Sequence, residues 1–178
     1  MPKMKFPMIA LPGFAAAVAA GAGLVHAASV DPVPAYGAPA VQLEAETVAT
    51  TAAAVFERAD LDNDAELSRE EFVTLAVVTA ELARFNGFVA VDYAGGVRTA
   101  ALPRSAAWSP LERARVEAAA QRDYARFAGE DERLTSDEFV SARLEAMTAA
   151  DLDRNGVLRG AELTRFAALE ARVAGRQS

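Results

Sequence analysis

The sequence predicts an all-α fold, on three observations. Alanine, glutamate, arginine and leucine dominate the chain, and all four are good helix formers. Two capping boxes, "SPLE" at Ser109–Glu112 and "TSDE" at Thr135–Glu138, mark helix starts. Apolar side chains recur at helical spacing in the segments between acidic loops. Hydrophobic residues reach 52%, but much of that is alanine, so the bulky core is smaller than the figure implies.

The elements follow in order. Lys3 and Lys5 precede an apolar run from Phe6 to Val25, and Val25–Ala27 offers small residues for cleavage. Residues 1–27 therefore read as a secretory signal, which places the protein in the periplasm or outside the cell. Pro12, Gly13, Gly21 and Gly23 argue against a membrane anchor in that run. No later segment is apolar for long enough to span a bilayer. Residues 28–43 are rich in Pro and Ala without an apolar period, and read as a flexible tether. A single domain, residues 44–175, follows. Its first helix runs from Glu44 to Ala59, with Val48, Val55 and Phe56 among its apolar positions. A second runs from Arg69 to about Phe85, with Phe72, Leu75, Ala76, Val78, Thr79 and Leu82 as its buried stripe. Residues 86–107 are the least regular, with one stretch, "NGFVAVDYAGG", that alternates weakly and fits a short strand. Ser109 caps a helix that reaches Phe127, and Pro110 suits its first turn. Thr135 caps one that reaches Ala149, and a last helix runs from about Gly160 to Val173.

Charge and composition exclude whole classes of function. Beyond residue 27 there is no lysine, histidine or cysteine, and 16 arginines face 25 acidic residues, a formal charge of −9. Nucleic acid and anionic membrane surfaces are poor partners for such a chain, whereas cations are good ones. Chemistry based on Cys, His or Lys has no residues to use, and zinc finds none of its preferred soft ligands. Glu130, Asp131 and Glu132 are neighbours in sequence, which does not set carboxylates across a substrate, so no enzyme is expected. Trp108, Tyr93 and Tyr124 read as packing residues, and the mixed charges from Glu112 to Arg126 as a solvated helix face.

The informative segment is "DLDNDAELSREE", Asp60–Glu71, and its near-repeat "DLDRNGVLRGAE", Asp151–Glu162. Crowded carboxylates repel one another unless a cation sits among them. A hard cation such as calcium takes about six to eight oxygen ligands, which alternate residues of a tight loop can supply. In both composition and spacing these segments resemble the loops of the EF-hand family. The resemblance implies that Asp60, Asp62 and Asp64 lead the first site. Glu66 would give its backbone carbonyl, Ser68 a side-chain or water ligand, and Glu71 a closing bidentate carboxylate. It implies likewise that Asp151, Asp153, Asn155, the carbonyl of Val157 and Glu162 form the second. Leu67 and Leu158 stand where the family's loops pair through short strands.

There are departures. The sixth place of the loop, where the family has glycine, holds Gly156 in one loop and Ala65 in the other; at positive φ alanine costs about 1–2 kcal/mol. Arg159, where the first loop has Ser68, neither coordinates nor caps the next helix. Two degenerate loops complete the outline, one at residues 127–138 with Leu134 at the pairing place, and one at 84–95 with Val91 there. The segment Phe139–Ala150 makes one helix, about 18 Å long, serve as exit from one loop and entry to the next. Its loops lie at opposite ends, which leaves the first acidic loop free to pair with the second, and the two degenerate loops with each other.

The resemblance thus implies a protein with two calcium ions, structural or buffered, or else regulating contact with an unidentified protein partner. The short inter-loop spacing is also similar to lanmodulin-type periplasmic proteins, which implies a lanthanide alternative. Leu61 and Leu152 replace the proline of that type, and its acidic ninth residue is absent, so fewer carboxylates are offered to a trivalent ion.

Overall fold

The computed structural model describes residues 37–94, 96–102 and 108–172. The signal at 1–27 and the tether as far as residue 36 lie outside the described residues. The described elements, in order, are β1 (Ala38–Pro39), β2 (Gln42–Glu44), α1 (Ala45–Ala59), β3 (Glu66–Leu67), α2 (Arg69–Asn86), β4 (Phe88–Asp92), β5 (Arg98–Ala101), α3 (Pro110–Phe127), β6 (Leu134–Thr135), α4 (Ser136–Ala150), β7 (Val157–Arg159) and α5 (Ala161–Glu170).

The fold is mixed α/β, which corrects the all-α expectation. Helices dominate, but three small sheets are present: β1-β5-β4, β2-β7 and β3-β6. The reason is local. Gly87 takes a left-handed φ of 79° and ends α2, as glycine does without steric cost. The following residues alternate, with Val89 and Val91 buried and Phe88 and Ala90 partly exposed, the period of a half-buried strand. β4 pairs antiparallel with β5, with an irregularity between Ala90 and Asp92. Residues 84–94 therefore form a helix end and a hairpin strand instead of another loop of the acidic type.

The other two sheets arise at the acidic loops, with partners different from those expected. Leu67 of loop one lies opposite Leu134 of the degenerate loop at 127–138. Leu158 lies opposite Leu43, in a strand drawn from the segment read as a tether. Loop one thus pairs with the degenerate loop at 127–138, and loop two, Asp151–Glu162, with residues 42–44. Burial explains both choices: Leu67, Leu134 and Leu158 are each 0% exposed and Leu43 is 2%. Burying a leucine side chain stabilises by about 1.5–3 kcal/mol.

Two cores result. One gathers Phe56, Leu67, Phe72, Tyr124, Leu134 and Phe139 around the β3-β6 pair. The other gathers Leu43, Val48, Met147, Leu158, Leu163 and Phe166 around the β2-β7 pair, with Val89, Val91 and Ala100 of the hairpin. The helix starts follow their boxes: Ser68, Ser109 and Thr135 each accept from the amide three residues on, and Glu71, Glu112 and Glu138 each bond back to the cap. The stripe of α2 is rotated from expectation. Phe72, Ala76, Val77, Ala80 and Ala83 are buried, while Val78 and Leu82 are 46% and 54% exposed. No helix of the described residues is long and apolar enough to cross a membrane.

Candidate metal centres

Each acidic loop starts at the end of one helix and closes on the first turn of the next. Asp60 is the C-cap of α1, its amide bonded to the Phe56 carbonyl at 3.0 Å. Asp151 is the C-cap of α4, its amide bonded to the Met147 carbonyl at 2.9 Å. The two loops then repeat one hydrogen-bond scheme. The Asp60 carboxylate accepts from the amides of Asp64 and Ala65 at 3.2 and 3.0 Å. The Asp151 carboxylate accepts from those of Asn155 and Gly156 at 3.2 and 2.9 Å. Asp64 Oδ1 accepts from the Glu66 amide at 2.9 Å, and Asn155 Oδ1 from the Val157 amide at 2.8 Å. The closing glutamates reach back across the loop: Glu71 Oε1 accepts from the Leu61 amide at 2.8 Å, and Glu162 Oε1 from the Leu152 amide at 2.9 Å. The inward-facing amides curl each chain around its first aspartate.

The backbone turns that allow this are left-handed. Asn63 and Arg154 have φ of 59° and 60°, Ala65 and Gly156 of 69° and 80°. Asparagine tolerates that region and glycine prefers it, while Ala65 and Arg154 do not. The strain at Ala65 is the departure noted in the sequence, here with its geometry.

The carboxylates meet in two groups. Asp60, Asp62 and Glu71 each offer an oxygen within 4.8 Å of the others, as do Asp151, Asp153 and Glu162. Calcium holds oxygens at about 2.3–2.6 Å, so ligands on opposite sides of one ion lie about 5 Å apart. The donor set, all oxygen, and this spacing fit a hard cation. Asp64 stands outside its group with an oxygen on the Glu66 amide, although its charge still acts on Asp62. The Glu66 side chain turns outward to Arg133 at 3.0 Å, which leaves its carbonyl as the oxygen it brings to the loop. Ser68 is engaged as a cap, with Oγ at 2.7 Å from Glu71 Oε2. In the second loop Asn155 Nδ2 donates to Asp153 Oδ2 at 2.7 Å, and Arg159 reaches away to Gln42 Oε1 at 2.9 Å. α5 starts at Gly160 without a side-chain cap, as Arg159 in place of serine implies.

Electrostatics differ within one cluster. Partial desolvation first, then repulsion from Asp64, Glu71 and Asp60, raises the Asp62 pKa above its ordinary value. At Glu71 desolvation also pushes upward and is the largest single influence. The Ser68 hydroxyl and the amides of Leu61, Ser68 and Asp62 together outweigh it, and hold the carboxyl below its ordinary value.

The degenerate loop at 127–138 is held without such a cluster. Tyr124 Oη donates to the Glu132 carbonyl at 2.6 Å, and Arg133 crosses to Glu66 of loop one. Sequence reasoning missed the strand that covers loop two. Its signal was "QLE", one apolar residue between two polar ones, directly before a helix. No protein-family model, curated protein or solved structure matches the chain.

Proposed function

We propose that this chain is an exported calcium-binding protein of the EF-hand type that holds one ion in each acidic loop. The observation that carries the reading is the repeat itself: two loops far apart in sequence adopt one hydrogen-bond scheme, and each gathers three carboxylates within 4.8 Å. In the first site Asp60, Asp62 and Asp64, the Glu66 carbonyl and both oxygens of Glu71 bind the ion, with water or Ser68 completing the shell. In the second Asp151, Asp153, Asn155, the Val157 carbonyl and Glu162 do so, with water at the place Arg159 vacates. A bound ion supplies the positive charge that the crowded carboxylates lack.

Calcium is structural or buffered in this reading, because both loops are already framed by strand pairing and buried leucines. Calorimetry with calcium, magnesium and lanthanum on chelated protein tests it. Two calcium ions per chain are expected. Glu71→Gln and Glu162→Gln should each remove most affinity from their own loop, since each loses a bidentate carboxylate. Unchanged binding in the double variant would refute the ligand assignment. Tight lanthanum binding where calcium does not bind would make a lanthanide the proper ion.

A further inference from the structure

The two acidic loops do not pair with each other. Glu66 and Leu67 of the first lie opposite Thr135 and Leu134. Val157, Leu158 and Arg159 of the second lie opposite Glu44, Leu43 and Gln42. Both partner strands run directly into a helix, with no residue between: Glu44 into α1 and Thr135 into α4. Both helices then end on the first acid of the opposite loop, Asp60 for α1 and Asp151 for α4. The strand clamped to loop two is thus the base of the helix that delivers Asp60 to loop one. The strand clamped to loop one is the base of the helix that delivers Asp151 to loop two. Each helix has 15 residues and is about 22 Å long. The two pack against each other, with the rings of Phe56 and Phe139 centred 6.0 Å apart.

We infer that the two metal sites are coupled with positive sign, through the reciprocal pair α1 and α4 and not through a shared strand pairing. The inference rests on the calcium reading above and adds the regulation of those sites. An ion in loop two draws Asp151 and Glu162 together and fixes β7, hence β2 and the base of α1. A packed helix transmits that restraint to Asp60 at its far end. The same ordering then need not be supplied again by the second ion, so the second binds more tightly. Linkage makes the effect equal in both directions.

Calcium titration by calorimetry, with circular dichroism to confirm that each variant is folded, gives the test. Glu162→Gln should weaken loop one, and Glu71→Gln should weaken loop two, by a common factor of about tenfold. Independent sites, with the surviving loop unchanged in both variants, would overturn the coupling while leaving two calcium ions on the wild type. No binding to the wild type would overturn the calcium reading and the coupling with it. A second measurement needs no variant. At half-saturating calcium, hydrogen exchange should slow at Gln42–Glu44 and at Leu134–Thr135 together. Protection that is complete in one strand before it begins in the other would refute the coupling.

Discussion

Ala65 shows what a single residue costs these loops. Its φ of 69° matches the 80° of Gly156 at the same loop place, yet it carries a Cβ. Ala65→Gly should therefore stabilise the metal-free protein by about 1 kcal/mol and tighten loop one, read by thermal melting and calorimetry. Gly156→Ala should do the reverse; among the described residues no atom would meet its Cβ within 4 Å, so backbone strain alone is at work. The carboxylates set the pH dependence. Asp62, with its raised pKa, takes a proton before an ordinary aspartate does. Protons then compete with calcium, and affinity in loop one should fall on acidification from above the ordinary aspartate range. Glu112 behaves oppositely. The Ser109 amide, then Arg84 and the Ser109 hydroxyl, hold its carboxyl at about 2 instead of 4.5. Its folded pKa lies below the unfolded one, so its stabilisation is whole above 4.5 and is lost as pH falls towards about 2. Carbon-detected NMR titration of Glu112 should show no protonation at pH 4; ordinary titration there would remove the capping box from the account.

At the scale of elements, the strand pairs hold the loops in place. Leu158→Ala should destabilise by about 2–5 kcal/mol, because a fully buried leucine leaves a cavity between β2 and β7. Denaturant unfolding measures it, and a loss below 1 kcal/mol would mean that β2 is dispensable. What the sequence made legible follows from how local each signal is. The capping boxes at Ser109 and Thr135 are complete within four residues, and their helices start where the boxes say. The spacing of the acidic residues is likewise local, and the fold brings Asp60, Asp62 and Glu71 together while Asp64 stands apart. Strand pairing is not local. Leu67 offers the same apolar side chain to any partner loop, and nothing in its neighbourhood selects Leu134 over Leu158. Leu43 was hidden by the Pro- and Ala-rich residues before it, and β5, the hairpin partner of the expected strand β4, by its own small residues. Three short strands, β1, β2 and β5, therefore went unread, and with them the mixed α/β class.

At the scale of the whole molecule, α1 and α4 each run from a strand pair to the first acid of an acidic loop, and the hairpin and α5 close one core. A groove of about 450 Å³ lies between α1 and α2, walled by Val48, Val55, Leu75, Val78 and Leu82. If calcium only frames the loops, this groove keeps its size, and calcium should order the protein without raising the fluorescence of a hydrophobic dye. A marked gain in dye binding would shift the role of calcium towards regulation of a protein partner.

The central claim is that two acidic turns fold around cations that relieve their repulsion. Thermal melting of chelated and calcium-saturated protein tests it most directly, because a ligand bound only by the folded state raises stability in proportion to its affinity. The account predicts a clear upward shift with calcium and two ions retained after dialysis; coincident melting curves with no retained ion would contradict it.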